Sequence, residues 1–328
     1  MAVGHRTVLA KVRAAAHPAP ESRREQGGES MRTVLIAFTA NVAIAVAKTI
    51  AATVSGSASM LAEAVHSWAD TGNQIFLLTA NRRSVRPADL DHPLGYGREA
   101  YVWSLPAAVG LFVAGATVSV WHGITELLHG NETQEGYALA YLVLAVSFVL
   151  EGTSWMRATR QLRDEAETYD RDVLDYVLET SDPTLRAVFA EDSAALLGIV
   201  IAFAGLGLHQ LTGAAMWDAL GSILVGVLLG VIAVVLIDRN RRFLAGEPAS
   251  PAIRQAVVRQ IEAMPEVAAV RFARLEYVGP KQVSLVAGVD LTGDLVESRI
   301  APTLRRLEGE LEHNRHIADT VLTVSGPE

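Results

Sequence analysis

Two side chains four residues apart, His66 and Asp70, stand in an otherwise apolar stretch of this sequence. At helical spacing they share one face, one turn apart, and Asn73 continues the same stripe. An imidazole and a carboxylate so placed can chelate a divalent metal. A neutral ring nitrogen favours Zn²⁺, Co²⁺, Ni²⁺ or Fe²⁺ over Ca²⁺ or Mg²⁺. A hydrogen bond between packed helices is the alternative. A second pair, Glu191 and Asp192, lies early in another apolar run. Adjacent helical residues point about 100° apart, so one of the two faces His66 and Asp70 more directly. Acids opening a helix at its positive end is the competing explanation. Asn41 is a further oxygen donor, or a bridge between helices. The chain contains no cysteine, which excludes disulfides, thiolate metal sites, iron–sulfur clusters and cysteine nucleophiles.

The elements that carry these residues are greasy. Half of the 328 residues are hydrophobic, only 20% are charged, and the mean hydropathy is +0.27. A soluble enzyme would have about 25% charged residues. Six stretches are each near the length of a bilayer-crossing helix: Thr33 to Val54, Ser59 to Ala80, Tyr101 to Leu127, Tyr137 to Trp155, Leu185 to Leu208 and Met216 to Ile237. Arginines follow spans 2, 4 and 6 (Arg82, Arg83, Arg86, Arg98; Arg157, Arg160, Arg163, Arg171; Arg239, Arg241, Arg242), whereas the loops after spans 1, 3 and 5 hold no Lys or Arg. That alternation puts both termini in the cytoplasm of a multi-pass protein of the lipid bilayer. Ionisable groups inside spans are expensive and are functional candidates by default. Lys48 is expected to snorkel to the interface, Glu151 to serve at the interface or in a proton relay, and Asp218 to charge the start of span 6.

Three regions follow: a disordered basic leader over 1–31, a six-span all-α transmembrane domain over 32–243, and a cytoplasmic domain over 247–328. The last has the pattern αββαβ: helix 252–264, strands 267–278 and 282–291 around a Gly279-Pro280 turn, helix 295–313 and strand 320–324. That order predicts a small ferredoxin-like α+β sandwich. The net charge of −8 argues against nucleic acid as a partner. No nucleophile elbow, phosphate loop or HExxH motif is present, which argues against an enzyme.

The stretch from Ser57 to Gln74, SASMLAEAVHSWADTGNQ, resembles the second span of cation diffusion facilitators, and RPADLDHPLGYGRE from Arg86 to Glu99 resembles the cytoplasmic loop that follows it in that family. The resemblance implies a homodimeric exporter of a divalent metal, usually Zn²⁺, that exchanges it for protons by alternating access. It implies an intramembrane site joining spans 2 and 5, with His66 and Asp70 carried over directly. Members usually have a second pair spaced by four in span 5. Here Glu191 and Asp192 are adjacent and Ala195 stands four beyond Glu191. That departure is similar to a divergent branch with relatives linked to mitochondria. The resemblance also implies an accessory loop site at Asp89, Asp91 and His92, although Tyr96 stands where a further His often occurs. In the tail Arg271, Gly288 and Thr323 fall near the usual metal-binding histidines, so dimerisation through this domain is expected without that metal cluster. Fe²⁺, Mn²⁺ or Co²⁺ remain alternatives to zinc, and a non-transporting membrane metal sensor or scaffold, or an organic-cation antiporter, remain alternatives to a metal exporter. A bacterial plasma membrane is the expected location.

Overall fold

The computed structural model describes residues 22–129, 136–168, 172–293 and 295–326. Most of the expected leader, the tip of the loop after span 3 and Arg171 lie outside these residues. The chain divides into two compact units. One comprises the described residues of 18–80 and 102–240, the other those of 81–101 and 241–328.

The first unit is helical. Helix α1 (Ser22–Ser55) begins inside the stretch expected to be leader, and ends at Gly56, whose left-handed backbone (φ 66°) lets its N–H reach Ala52 O. Helix α2 (Ala58–Ser84) follows after two residues. The third span is helix α3 (Glu99–Gly110), a π-helical stretch (Leu111–Thr117) and helix α4 (Val118–His129) in continuous succession. Helix α5 (Tyr137–Thr168), short α6 (Val173–Glu179), α7 (Pro183–Thr212) and α8 (Met216–Ala245) complete the order.

Five of these segments, in α1, α3–α4, α5, α7 and α8, are long and apolar enough to cross a membrane. Helix α2 is long enough, at 27 residues or about 40 Å, but falls short in apolarity. The reason is its cargo: Glu63, His66, Asp70 and Asn73 in its middle and Arg82 and Arg83 in its last turn. The expected second span is therefore the polar helix of the set, and Glu63, His66 and Asn73 are buried on it among small residues such as Ala62 and Ala64.

The second unit is the αββαβ domain with helices α9 (Pro251–Glu262) and α10 (Glu297–Glu312) and strands β1 (Val267–Gly279), β2 (Gln282–Leu291) and β3 (Ile317–Val324). Strands β1 and β2 are antiparallel, and β2 and β3 parallel, in the order β1-β2-β3. Val283, Leu285, Ala287 and Val289 alternate along β2 toward a core shared with Val257, Ile261, Leu307 and Leu311 of the helices. The opposite face of the sheet shows Phe272 and Val286, paired to Gly288 and Arg274 across the strands.

The loop after α2 clusters with this domain rather than with the spans. Gly97 lies so close to β1 that an added Cβ would sit 2.5 Å from Val278 O, and Arg98 Nη2 pairs with Glu276 Oε1 at 2.6 Å. Tyr101 stacks on Phe243, which meets Tyr277 edge-on.

Candidate metal site in the helical unit

His66 is fully buried and its Nε2 lies 3.3 Å from Asp70 Oδ2, as the spacing of four requires. The approach lacks hydrogen-bond geometry: neither ring nitrogen of His66 has a hydrogen-bond partner, nor does Asp70 Oδ1. Leaving a buried polar group unsatisfied costs about 1–3 kcal/mol. Three such atoms side by side form a set of lone pairs and donors that packing does not explain.

Helix α7 brings the second pair. Its start is fixed by Asp182, whose Oδ1 accepts from the backbone N–H of Thr184 (3.0 Å) and Leu185 (3.2 Å), with Pro183 in the first turn. Glu191 and Asp192 thus lie more than two turns inside the helix, beyond the reach of its positive end. Acids serving only the helix dipole are thereby excluded. Asn73 Nδ2 donates to Glu191 Oε1 at 3.0 Å, joining α2 to α7. Asp192 turns toward α5 and accepts from Ser154 Oγ at 2.9 Å. Glu191 and Asp192 both lie within electrostatic range of Asp70. Among the described residues, no three His, Asp or Glu side chains converge into a finished coordination sphere. His66 and Asp70 stand together, Glu191 is held through Asn73, and Asp192 is engaged by Ser154. Gly110, at the head of the π-helical stretch, faces Asn73 Oδ1, and such stretches recur at functional sites. Asn41 is half-buried on α1, two turns before Lys48.

Lys48 does not snorkel. It is fully buried, and its Nζ donates to Glu63 Oε2 and Glu151 Oε1, each at 2.9 Å. An ammonium in mid-span can stay inside when two carboxylates replace its water. The acids at 63 and 151 were visible in the sequence, but their meeting on a lysine 15 and 103 residues away was not. Asp218, expected as a charge at the start of its own helix, lies in the first turn of α8 and also caps α2. It accepts from Ala58 N (2.6 Å), Ser57 Oγ (2.8 Å) and Ser59 Oγ.

The loop residues Asp89, Asp91 and His92 build a turn. Asp89 Oδ1 accepts from the N–H of Asp91 and His92, and its Oδ2 from the Tyr96 hydroxyl at 2.6 Å. His92 stacks on Tyr96, and Arg86 lies over the same ring. The Tyr96 hydroxyl holds the Asp89 carboxyl below its usual range, and the same bond raises the Tyr96 phenol. In the tail, Arg271 pairs with Asp290, Gly288 lies under the Phe272 ring, and His313 and His316 each place Nδ1 at a backbone carbonyl, of Gly309 and Lys281 respectively.

Residues 34–245 match the family model described as the cation efflux transmembrane domain. The chain is 35% identical over 306 residues to the mouse (Mus musculus) protein named proton-coupled zinc antiporter SLC30A9, mitochondrial, covering 88% of this chain and 54% of that one. It is 35% identical to metal tolerance protein C4 of Arabidopsis thaliana, over 74% of this chain and 53% of that one. It is 23% identical to magnetosome protein MamM of Paramagnetospirillum magneticum, over 78% of this chain and 76% of that one. The chain thus spans about half the length of the first two of these relatives.

Proposed function

This chain belongs to the cation diffusion facilitator family, and on that premise we propose that it exports a divalent metal, zinc first, from the cytoplasm in exchange for protons. The observation that carries this reading is the fully buried imidazole of His66, one turn from Asp70, with neither ring nitrogen hydrogen-bonded. Zinc suits one imidazole with carboxylate oxygens, and two relatives are named for zinc antiport and metal tolerance. Fe²⁺, Mn²⁺ and Co²⁺ are the competing ions for such a donor set.

His66, Asp70 and Glu191 take the ion, with Asp192 adjoining and Asn73 orienting Glu191. Binding needs a neutral imidazole and ionised carboxylates, so each metal bound sheds protons. Protons returning from the other side reload the same groups and expel the ion. Movement of α2 against α7 opens the site alternately to each side. Two copies associate through the αββαβ domain, whose sheet leaves Phe272 and Val286 exposed. The relatives offer no support for a bacterial plasma membrane, since the mouse protein is named as mitochondrial.

The test is reconstitution in liposomes holding a pH dye and a metal dye, with Zn²⁺, Fe²⁺, Mn²⁺ and Co²⁺ added separately. Metal flux tied to opposite proton flux, and lost in His66→Ala, is the expected result. Metal binding without flux would replace transport by the sensor reading. Flux unchanged in His66→Ala would overturn the assignment of the site.

A further inference from the structure

Beside the metal site lies a second buried charged cluster that the transport reading leaves unused. Lys48 of α1 bridges Glu63 of α2 and Glu151 of α5. Each acid keeps one buried oxygen with no hydrogen-bond partner, Glu63 Oε1 and Glu151 Oε2. Glu63 Oε1 packs against Gly198 of α7 so tightly that any Cβ there would collide with it. Glu63 lies one turn before His66 on α2, and both Lys48 and Glu151 are within electrostatic range of Asp70.

Two buried carboxylates with oxygens to spare are a hard donor set. Such sets favour Mg²⁺, Ca²⁺ and Mn²⁺, which take oxygen ligands, over ions that prefer imidazole. In this chain the pair is already occupied by a cation, and that cation is tethered to the backbone. A free ion cannot exchange with it, and a divalent ion approaching the same oxygens meets its positive charge.

We infer that Lys48 is a specificity-determining residue, an internal counter-ion that withholds Glu63 and Glu151 from the passing metal. The passing ion is then left with the site that contains His66, and the two further carboxylates that would favour harder cations are withheld from it. The inference rests on the transport reading for the identity of what passes, but its test does not.

The test measures Mn²⁺ binding to purified protein by loss of the free-ion paramagnetic resonance signal, in a His66→Ala background. There the proposed primary site has lost its imidazole. Adding Lys48→Gln is expected to tighten Mn²⁺ binding about tenfold or more. Adding Glu63→Gln and Glu151→Gln to that variant is expected to abolish the gain. The variant with all three side chains uncharged also checks folding, because replacing buried charges together is tolerated better than removing one partner. Should Lys48→Gln not fold, Lys48→Gln/Glu63→Gln, which keeps Glu151 alone, is compared with the uncharged trio. A gain there supports the inference and equal binding overturns it. Unchanged Mn²⁺ binding in a folded Lys48→Gln variant, or a gain that survives loss of both acids, overturns it too. Failure of transport is seen separately, as wild-type protein without metal flux.

Discussion

The chain carries two histidine–aspartate pairs close together in sequence, and they differ in what surrounds them. His66 and Asp70 lie 3.3 Å apart with 1% and 20% of their side chains exposed, whereas His92 and Asp89 lie 3.6 Å apart with 47% and 44% exposed. In the loop the Asp89 carboxylate is engaged locally. Asp89 accepts two backbone N–H groups and the Tyr96 hydroxyl, and His92 stacks on the same ring. In the helices, His66 Nδ1, His66 Nε2 and Asp70 Oδ1 have no such partners. Identical residue types thus make a turn in one place and a buried, unpartnered pair in the other. The loop pair is about half exposed and bonded to its own backbone, while the helical pair is buried with polar atoms left unpartnered.

The sharpest way to break this contrast is to delete each pair. Asp70→Ala is expected to lower metal flux in proteoliposomes by about a hundredfold or more, since loss of even an outer partner of a metal site costs 10–100-fold. Asn73→Leu removes the amide that holds Glu191, and uptake should fall about tenfold with the protein still folded. Asp218→Ala strips the cap from the start of α2, and thermal melts in detergent should show a loss of about 1–2 kcal/mol. The smallest effect belongs to the loop. Asp89→Ala should leave flux unchanged and loosen only the loop turn that its carboxylate holds. Its pH dependence has a definite sign. The folded carboxyl titrates below its ordinary value of about 4, so its contribution is complete above that pH and fades as pH falls through the lower folded value. Melts of wild type and Asp89→Ala should therefore converge toward low pH. Flux lost in Asp89→Ala and kept in Asp70→Ala would invert the comparison.

Local signals explain what the sequence disclosed. The stripe His66, Asp70, Asn73 follows from helical spacing alone, and Asn73 does reach across to Glu191. Alternation in β2 and the apolar face of α10 were enough to order the tail domain. Placing the start of α7 at Leu185, without reading Asp182-Pro183 as its cap, kept the dipole explanation of Glu191 alive longer than the structure permits. Long-range contacts were out of reach. Gly97 carries no mark of its approach to Gly279, about 180 residues on, so the loop after α2 was counted with the spans. Lys48 reads as an interfacial lysine until the two acids that hold it are located on other helices.

The central claim, that the buried pair rather than the exposed one receives the metal, is tested most directly by thermal stabilisation with Zn²⁺. A ligand at a hundred times its dissociation constant stabilises the folded state by about 2.7 kcal/mol, a readily measured shift in Tm. Wild-type protein, His66→Ala and His92→Ala would be melted in detergent with and without the ion. The expected result is a shift in wild type and His92→Ala that disappears in His66→Ala. A shift retained in His66→Ala and lost in His92→Ala would contradict the claim.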